Sequence, residues 1–178
     1  MKVIIGAGEQ RWDTWIPTQK EDLDLLDGNS WERYFGENRA EAFICEHVFE
    51  HLKIEEAKAA AKIIYRYLIP GGFIRVAVPD RHFQNEEYQK TVQVGGPGPK
   101  EHPAADHKVV YGYKELFRLF EGAGFGVRLL EYHDEEGNFH LSDWEVVDAP
   151  IYRSSKLDHR NQDGQIEFAS IILDARKT

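Results

Sequence analysis

Phe43 to Asp80 reads FICEHVFEHLKIEEAKAAAKIIYRYLIPGGFIRVAVPD, and this stretch decides the fold. At its centre, His47-Val48-Phe49-Glu50-His51 matches H-x-x-E-H, a zinc-peptidase pattern. Its flanks describe something different. Ala42 to Cys45 is a short apolar run that predicts a buried strand. Ile54 to Leu68 predicts a helix: Ile54, Ala57, Ala61, Ile64 and Leu68 form one apolar stripe, with Glu55, Glu56, Lys58, Lys62 and Arg66 on the other side. The acidic residues come early and Arg66 late, which suits the helix dipole. Pro70-Gly71-Gly72 predicts a stop and a turn. Phe73 to Val78 then predicts a strand rich in β-branched residues, closed by Pro79-Asp80. Strand, turn, helix, turn, strand is the layout of a ligand-binding α/β sheet.

The same alternation extends outward. Lys2 to Ile5 predicts a buried strand that enters a tight loop at Gly6-Ala7-Gly8. Trp15-Ile16 and Leu23 to Leu26 predict a second and a third short strand. Tyr113 to Glu121 predicts a helix with Leu116, Phe117 and Phe120 inward, ended by Gly122-Ala123-Gly124. Phe125 to Tyr132 and Ile166 to Ala175 predict two strands that pair with each other. Residues 81–111 and 133–163 are long polar excursions, and loops of such length in a compact domain usually carry function. The whole chain, 1–178, fits one α/β domain with a sheet covered by helices on both faces. Ligands of such sheets bind beyond the carboxyl ends of the strands. That rule places the candidate site at Gly6, Ala7, Gly8, Gln19, Asp24, Glu46, His47 and from Asp80 onward.

Composition narrows the partners. The net charge is −9, from 22 basic and 31 acidic residues, and no dense run of Lys and Arg occurs. That balance argues against broad contact with nucleic-acid phosphates and suits a small-molecule partner. No apolar run approaches the roughly 20 residues of a membrane span. MKVIIGAGEQ turns polar too early for a secretory signal. The lone Cys45 cannot form an internal disulfide, and a reducing cytoplasm is the expected setting.

Histidines four apart on a helix can share a zinc ion, with Glu50 as general base. Here a third protein ligand is not evident in the sequence, and His47 follows the strand so closely that His47–His51 amounts to one helical turn. The alternative places Glu50 on the exposed side of the helix and packs His51 against it. No metal site is assigned. Gly6-Ala7-Gly8 lets the backbone pass close to a ligand. The dinucleotide fingerprint requires a further glycine where Arg11 stands, so the standard pyrophosphate mode is not expected.

With these pieces placed, the chain resembles the class I S-adenosylmethionine-dependent methyltransferases, and within them a small bacterial group. The resemblance rests on IIGAG, WIPTQ followed by LDLLD, CEHVFEHL, LIPGGFIRVAVPD, ADHKVVY, the GAGF turn, LLEYHDEEGNF and the closing FASIILDARK. It implies a Rossmann-like, mostly parallel sheet with an antiparallel C-terminal strand, and S-adenosyl-L-methionine as cofactor. In that family the EHVFEHL-like segment follows the fourth strand and is not a zinc site. The resemblance puts Gly6, Ala7 and Gly8 against the methionine part of the cofactor and Gln19 at the ribose. Asp24 falls by the adenine, and Glu46 and His47 near the methyl group. Residues 81–111 and 133–163 fall on the substrate side. His47, His107 and Asp106, with His82, are then the candidate bases for an alcohol or amine acceptor.

Three positions depart from the family pattern: Ile4 in place of an acidic residue, Gln10 in place of a third loop glycine, and Gln19 in place of the ribose-binding acid. Glutamine lacks the charge assistance that strengthens a hydrogen bond to a hydroxyl. These departures define one alternative, a module that keeps the fold without catalysis. Zinc hydrolysis through H-x-x-E-H is a second.

Overall fold

The computed structural model describes residues 1–178. Seven strands form one sheet: β1 (Lys2–Ile5), β2 (Trp15–Pro17), β3 (Ala40–Glu46), β4 (Leu68–Pro79), β5 (Phe125–His133), β6 (Phe139–Leu141) and β7 (Ser170–Lys177). Their spatial order is β2-β1-β3-β4-β7-β5-β6. Strands β1 to β4 run parallel, while β7 lies antiparallel between β4 and β5. This is the Rossmann-like methyltransferase sheet expected from the sequence, with its antiparallel C-terminal strand. Four helices accompany it: α1 (Gly28–Phe35), α2 (Ile54–Tyr67), α3 (Glu86–Val92) and α4 (Tyr113–Glu121).

The helices do not share the two faces equally. Trp31 and Phe35 of α1, Ala57, Ala61 and Ile64 of α2, and Leu116 and Phe120 of α4 pack on one face, against Val3, Ile5, Phe43, Cys45, Val76 and Leu173. The opposite face exposes Ile4, Ile44, Ala77 and Ile172, and there Trp144, Ala149 and Ile151 cover them. These three belong to a strap, residues 142–169, that contains no helix or strand. Over this apolar patch the cover is irregular chain.

Buried charges hold the strap. Arg75, on β4, is 2% exposed. It pairs with Asp174 through Nε and Nη2 at 2.7 and 2.9 Å, and its Nη1 donates to the carbonyls of Ala149 (2.7 Å) and Glu145 (3.1 Å). The Trp144 ring lies over its guanidinium at 4.7 Å. Glu131, on β5, accepts hydrogen bonds from the Trp144 indole, the Ser155 amide and the Ser155 hydroxyl. Burial raises the Glu131 pKa above the ordinary carboxyl range, against the pull of these donors.

Several elements differ from the sequence expectations for identifiable reasons. Leu23 to Leu26 forms turns rather than a third strand. Its backbone is committed elsewhere: the Asp24 amide donates to Ser30 Oγ, and the Asp24 carbonyl accepts from the Trp31 indole at 2.8 Å. Leu23 and Leu25 still reach the core. Helix α1, absent from the sequence expectations, starts at an N-cap where Asp27 accepts the Asn29 amide. In α2, Ile54 is 41% exposed and the buried stripe begins at Ala57. Pro70-Gly71-Gly72 is a bulge within β4, since Leu68 pairs with Ala40 and Phe73 with Ala42. Helix α4 buries Leu119 with Leu116 and Phe120, whereas Phe117 is half-buried.

The last strand starts at Ser170 rather than Ile166. Asn161 takes the backbone groups that a ladder would need: its Oδ1 accepts the amides of Glu167 and Phe168, and its Nδ2 donates to the Phe168 carbonyl. As expected, β7 pairs with β5. Residues 6–14 join β1 to the parallel β2 without a helix, although such crossovers usually take a dozen residues or more. Gly6, Gly8 and Thr14 make the tight path possible with φ values of 63°, 54° and 69°.

Candidate functional site

The carboxyl ends of β1 and β3 open on a cleft of 860 Å³. Such a volume lies within the range of small-molecule sites. Gly6, Ala7 and Gly8 form one wall, Glu46, His47, Glu50 and His51 the floor. Val92, His102 and His107 close it from the 81–111 excursion, and Tyr152, Arg153, Asp158 and Arg160 close it from the strap.

Gly6 is required where it stands. A Cβ there would lie 2.8 Å from Val48 Cγ2, in a left-handed backbone conformation. Gly8 meets nothing within 4 Å, so its side of the loop faces open space. The side chain of Gln19 braces this loop: Oε1 accepts the Gly8 amide at 3.2 Å and Nε2 donates to the Gly8 carbonyl at 2.8 Å. Asp24 does not line the cleft. Its carboxylate accepts the Leu26 amide within its own turn.

Glu46 ends β3 and is 3% exposed. It accepts the amides of Tyr152 and Arg153, both at 2.9 Å, and the Gln10 side-chain amide at 2.9 Å. The Arg153 guanidinium reaches the same carboxylate at 3.2 Å. Burial raises the Glu46 pKa and Arg153 opposes the rise. Glu46 therefore ties the glycine loop to the strap across the mouth of the sheet. The stack of Trp12 on Tyr152, with centroids 4.4 Å apart, adds a second tie.

His47 follows at φ 55°, a left-handed conformation that few non-glycine residues adopt. Its amide donates to the Ala77 carbonyl, and its Nε2 lies 3.0 Å from Ser170 Oγ. Burial, and then the charge of Arg153, holds its pKa well below the usual histidine value. Phe49 to His51 is a single 3-10 turn, so the H-x-x-E-H residues do not lie on an α-helix. Glu50 is fully buried, not on an exposed face as the sequence alternative has it. Burial pushes its pKa up to about 8. His51 and His107 meet edge to face with centroids 4.8 Å apart, and burial lowers the pKa of both. At neutral pH all three imidazoles are uncharged and offer lone pairs.

Of the candidate bases, His47 and His107 line the cleft. Asp106 does not line it, pairing with Lys108 at 2.6 Å and approaching His51 Nδ1 at 3.6 Å. His82 lies outside the cleft, near the Tyr113 ring. Sequence reasoning missed the convergence of Glu50 with His107, which no local spacing reveals. Arg153 and Asp158, within the 133–163 excursion, line the cleft as well.

No family model matches this sequence, and no curated protein does. Solved structures do match. A methyltransferase from Thermotoga maritima, described as S-adenosylmethionine-dependent and a possible histamine N-methyltransferase, superposes with a TM-score of 0.53 at 18% identity. The match covers 99% of this chain and 82% of that one. An S-adenosylmethionine-dependent methyltransferase from Archaeoglobus fulgidus matches with a TM-score of 0.56 at 13% identity, over 99% and 85% of the two chains. One from Methanosarcina mazei gives 0.53 at 12%, over 99% and 91%. No helix in the structure is long and apolar enough to cross a membrane. The chain has the fold of the class I S-adenosylmethionine-dependent methyltransferases.

Proposed function

We propose that the protein is an S-adenosylmethionine-dependent methyltransferase acting on a small-molecule or sugar-like acceptor. The observation that carries this reading is the meeting of Gly6–Gly8 with Glu46 and His47 at one strand-end cleft, in a sheet of this order. The residues suit the methionine end of the cofactor: an open backbone face at Gly8 and buried carboxylates at Glu46 and Asp158. At the ribose, Gln19 is the available polar group, and it serves there by exchanging its bonds to Gly8 for bonds to hydroxyls. Neither Gln19 nor Asp24 lines the cleft itself, but Gln19 is bonded to Gly8, which does, and Asp24 has no such contact and is left out.

When bound, the cofactor supplies a methyl group already activated on sulfonium sulfur. The chain contributes positioning and electrostatics. Gly6, Ala7 and Gly8 hold the methionine part, and the strap with residues 81–111 closes around the acceptor. In this reading His47 receives the acceptor's proton, and the contact of its Nε2 with Ser170 Oγ holds the ring. Glu46, anchored by Arg153, keeps negative charge beside the site where a cation binds. The buried, unpaired Cys45 accords with the expected cytoplasmic setting. The structural matches favour neither a lapsed module nor zinc hydrolysis.

Thermal unfolding with S-adenosylhomocysteine tests the cofactor site. At a hundred times its Kd the ligand adds about 2.7 kcal/mol, which for this size raises Tm by about 5–10 °C. An unchanged Tm at millimolar ligand removes the proposal.

A further inference from the structure

Beneath the cleft, Glu50 presents a chemical problem. Its carboxyl is 0% exposed, yet neither oxygen has a hydrogen-bond partner. A buried polar group left without a partner is destabilising, and more so if charged. The nearest polar atoms are imidazole nitrogens, and neither hydrogen-bonds to it. His47 Nδ1 lies 3.3 Å from Oε1 without hydrogen-bond geometry, and His107 Nε2 lies 4.0 Å away. One ligand atom from each of Glu50, His51 and His107 falls within 4.8 Å of the others.

The supports of the two imidazoles match what a ligating histidine needs. His107 Nδ1 lies 2.8 Å from the Val92 carbonyl. Only a protonated Nδ1 can donate there, so Nε2, the atom facing Glu50, carries the lone pair. Asp106 lies 3.6 Å from His51 Nδ1, the place of a carboxylate that orients a ligating ring. The loop carrying His107 is also fastened to this turn, because the amides of Lys108 and Val109 both donate to the Glu50 carbonyl, at 2.7 and 3.2 Å.

We propose that Glu50, His51 and His107 bind one divalent first-row transition-metal ion of the zinc or cobalt(II) class. Two imidazoles and one carboxylate form a borderline donor set that suits such ions and leaves coordination positions free for an oxygen or nitrogen of a cleft ligand. Tetrahedral metal–ligand bonds of about 2.0–2.2 Å put donor atoms roughly 3.3–3.6 Å apart, so donors now within 4.8 Å of one another draw closer on binding. The ion takes the place of the missing partner of Glu50. His47, held by Ser170, stays beside the ligand set and outside it. The site is a place of binding next to the glycine loop, and the H-x-x-E-H residues form it only with His107 from the distant loop.

The test uses the full chain, stripped with a chelator and titrated with Zn²⁺ and Co²⁺ without any cofactor, so its outcome is independent of methyl transfer. One equivalent bound at micromolar Kd or tighter is expected, with visible Co²⁺ absorption bands and a rise in Tm. Glu50→Gln preserves the shape of a buried side chain, and His107→Ala removes a donor. Each should weaken binding at least tenfold in protein whose circular dichroism is unchanged, while His82→Ala, outside the cleft, leaves it intact. A folded wild type that binds no stoichiometric metal overturns the proposal, whatever the variants do. Binding that is indifferent to both Glu50→Gln and His107→Ala overturns it as well.

Discussion

On one face of the sheet, Trp31, Phe35, Ala57, Ile64 and Phe120 meet the strands through apolar contact from three helices. On the other, residues 142–169 lie down without regular structure, fixed where Arg75, Glu131 and Glu46 reach out of the sheet. The helical face satisfies its own backbone and needs only shape and hydrophobicity from its neighbours. The strap satisfies only part of its backbone internally, and buried charged side chains supply further partners. The same strap carries Tyr152, Arg153, Asp158 and Arg160 into the cleft. The half of the molecule held by a few polar contacts is therefore the half that borders the site. Loops and lids that move tend to come from such regions.

This contrast can be broken at its strongest point first. Arg75→Met leaves Asp174 and two carbonyls without their partner, and we expect a loss of about 3–5 kcal/mol. Hydrogen exchange should localise the damage to 142–169 and spare α2. Ile64→Ala, on the helical face, should cost about 2–5 kcal/mol through its cavity, measured by urea unfolding. Its exchange protection should fall across α1, α2 and α4 together, without selective opening of the strap. A result in which both variants open the same segment removes the distinction between the faces.

Smaller substitutions sharpen it. Gly8→Ala adds a Cβ to open space at φ 54° and should cost about 1 kcal/mol, from backbone strain alone. Gly6→Ala adds a clash with Val48 to the same strain and should cost more. Equal losses would mean that Val48 yields freely. The smallest effect concerns pH. Because burial raises the Glu131 pKa in the folded chain, the native state holds its proton longer than the unfolded state does. Stability contributed by that group falls as pH rises from the unfolded carboxyl value, about 4.3, through the higher folded one. Glu131→Gln should flatten this slope in a series of Tm measurements, and an unchanged slope would assign it to other carboxyls.

The helical face was legible in the sequence because its rule is periodic. The stripe through Ala57, Ala61 and Ile64 follows from helical geometry, and the alternation of Ile4 with Val3 and Ile5 assigns each to its face. The strap has no period. Trp144, Ala149 and Ile151 read as stray apolar residues until Arg75 and Glu131 are seen beneath them. Leu23 to Leu26 misled because alternation alone cannot register that Ser30 and Trp31 bind its backbone. In the site, the strand-end rule brought Gly6, Ala7, Gly8, Glu46 and His47 to one cleft without knowledge of the sheet order. His107 was visible as a candidate, but its approach to Glu50 depends on a loop path that sequence does not encode locally. Gln19 reads as a weak ribose ligand, and only the coordinates show it bracing Gly8.

The position of β7 bears on how the chain folds. It follows every other strand in the sequence, yet it lies between β4 and β5, with hydrogen bonds to both. Until it is made, β1 to β4 and the β5–β6 hairpin are two fragments with facing, unpaired edges. The sheet becomes continuous only when this strand slots between them, a pairing of long sequence separation that makes for slow folding. During synthesis the exposed edges of β4 and β5 wait for it, and a segment that waits in this way is the one most open to capture by another chain.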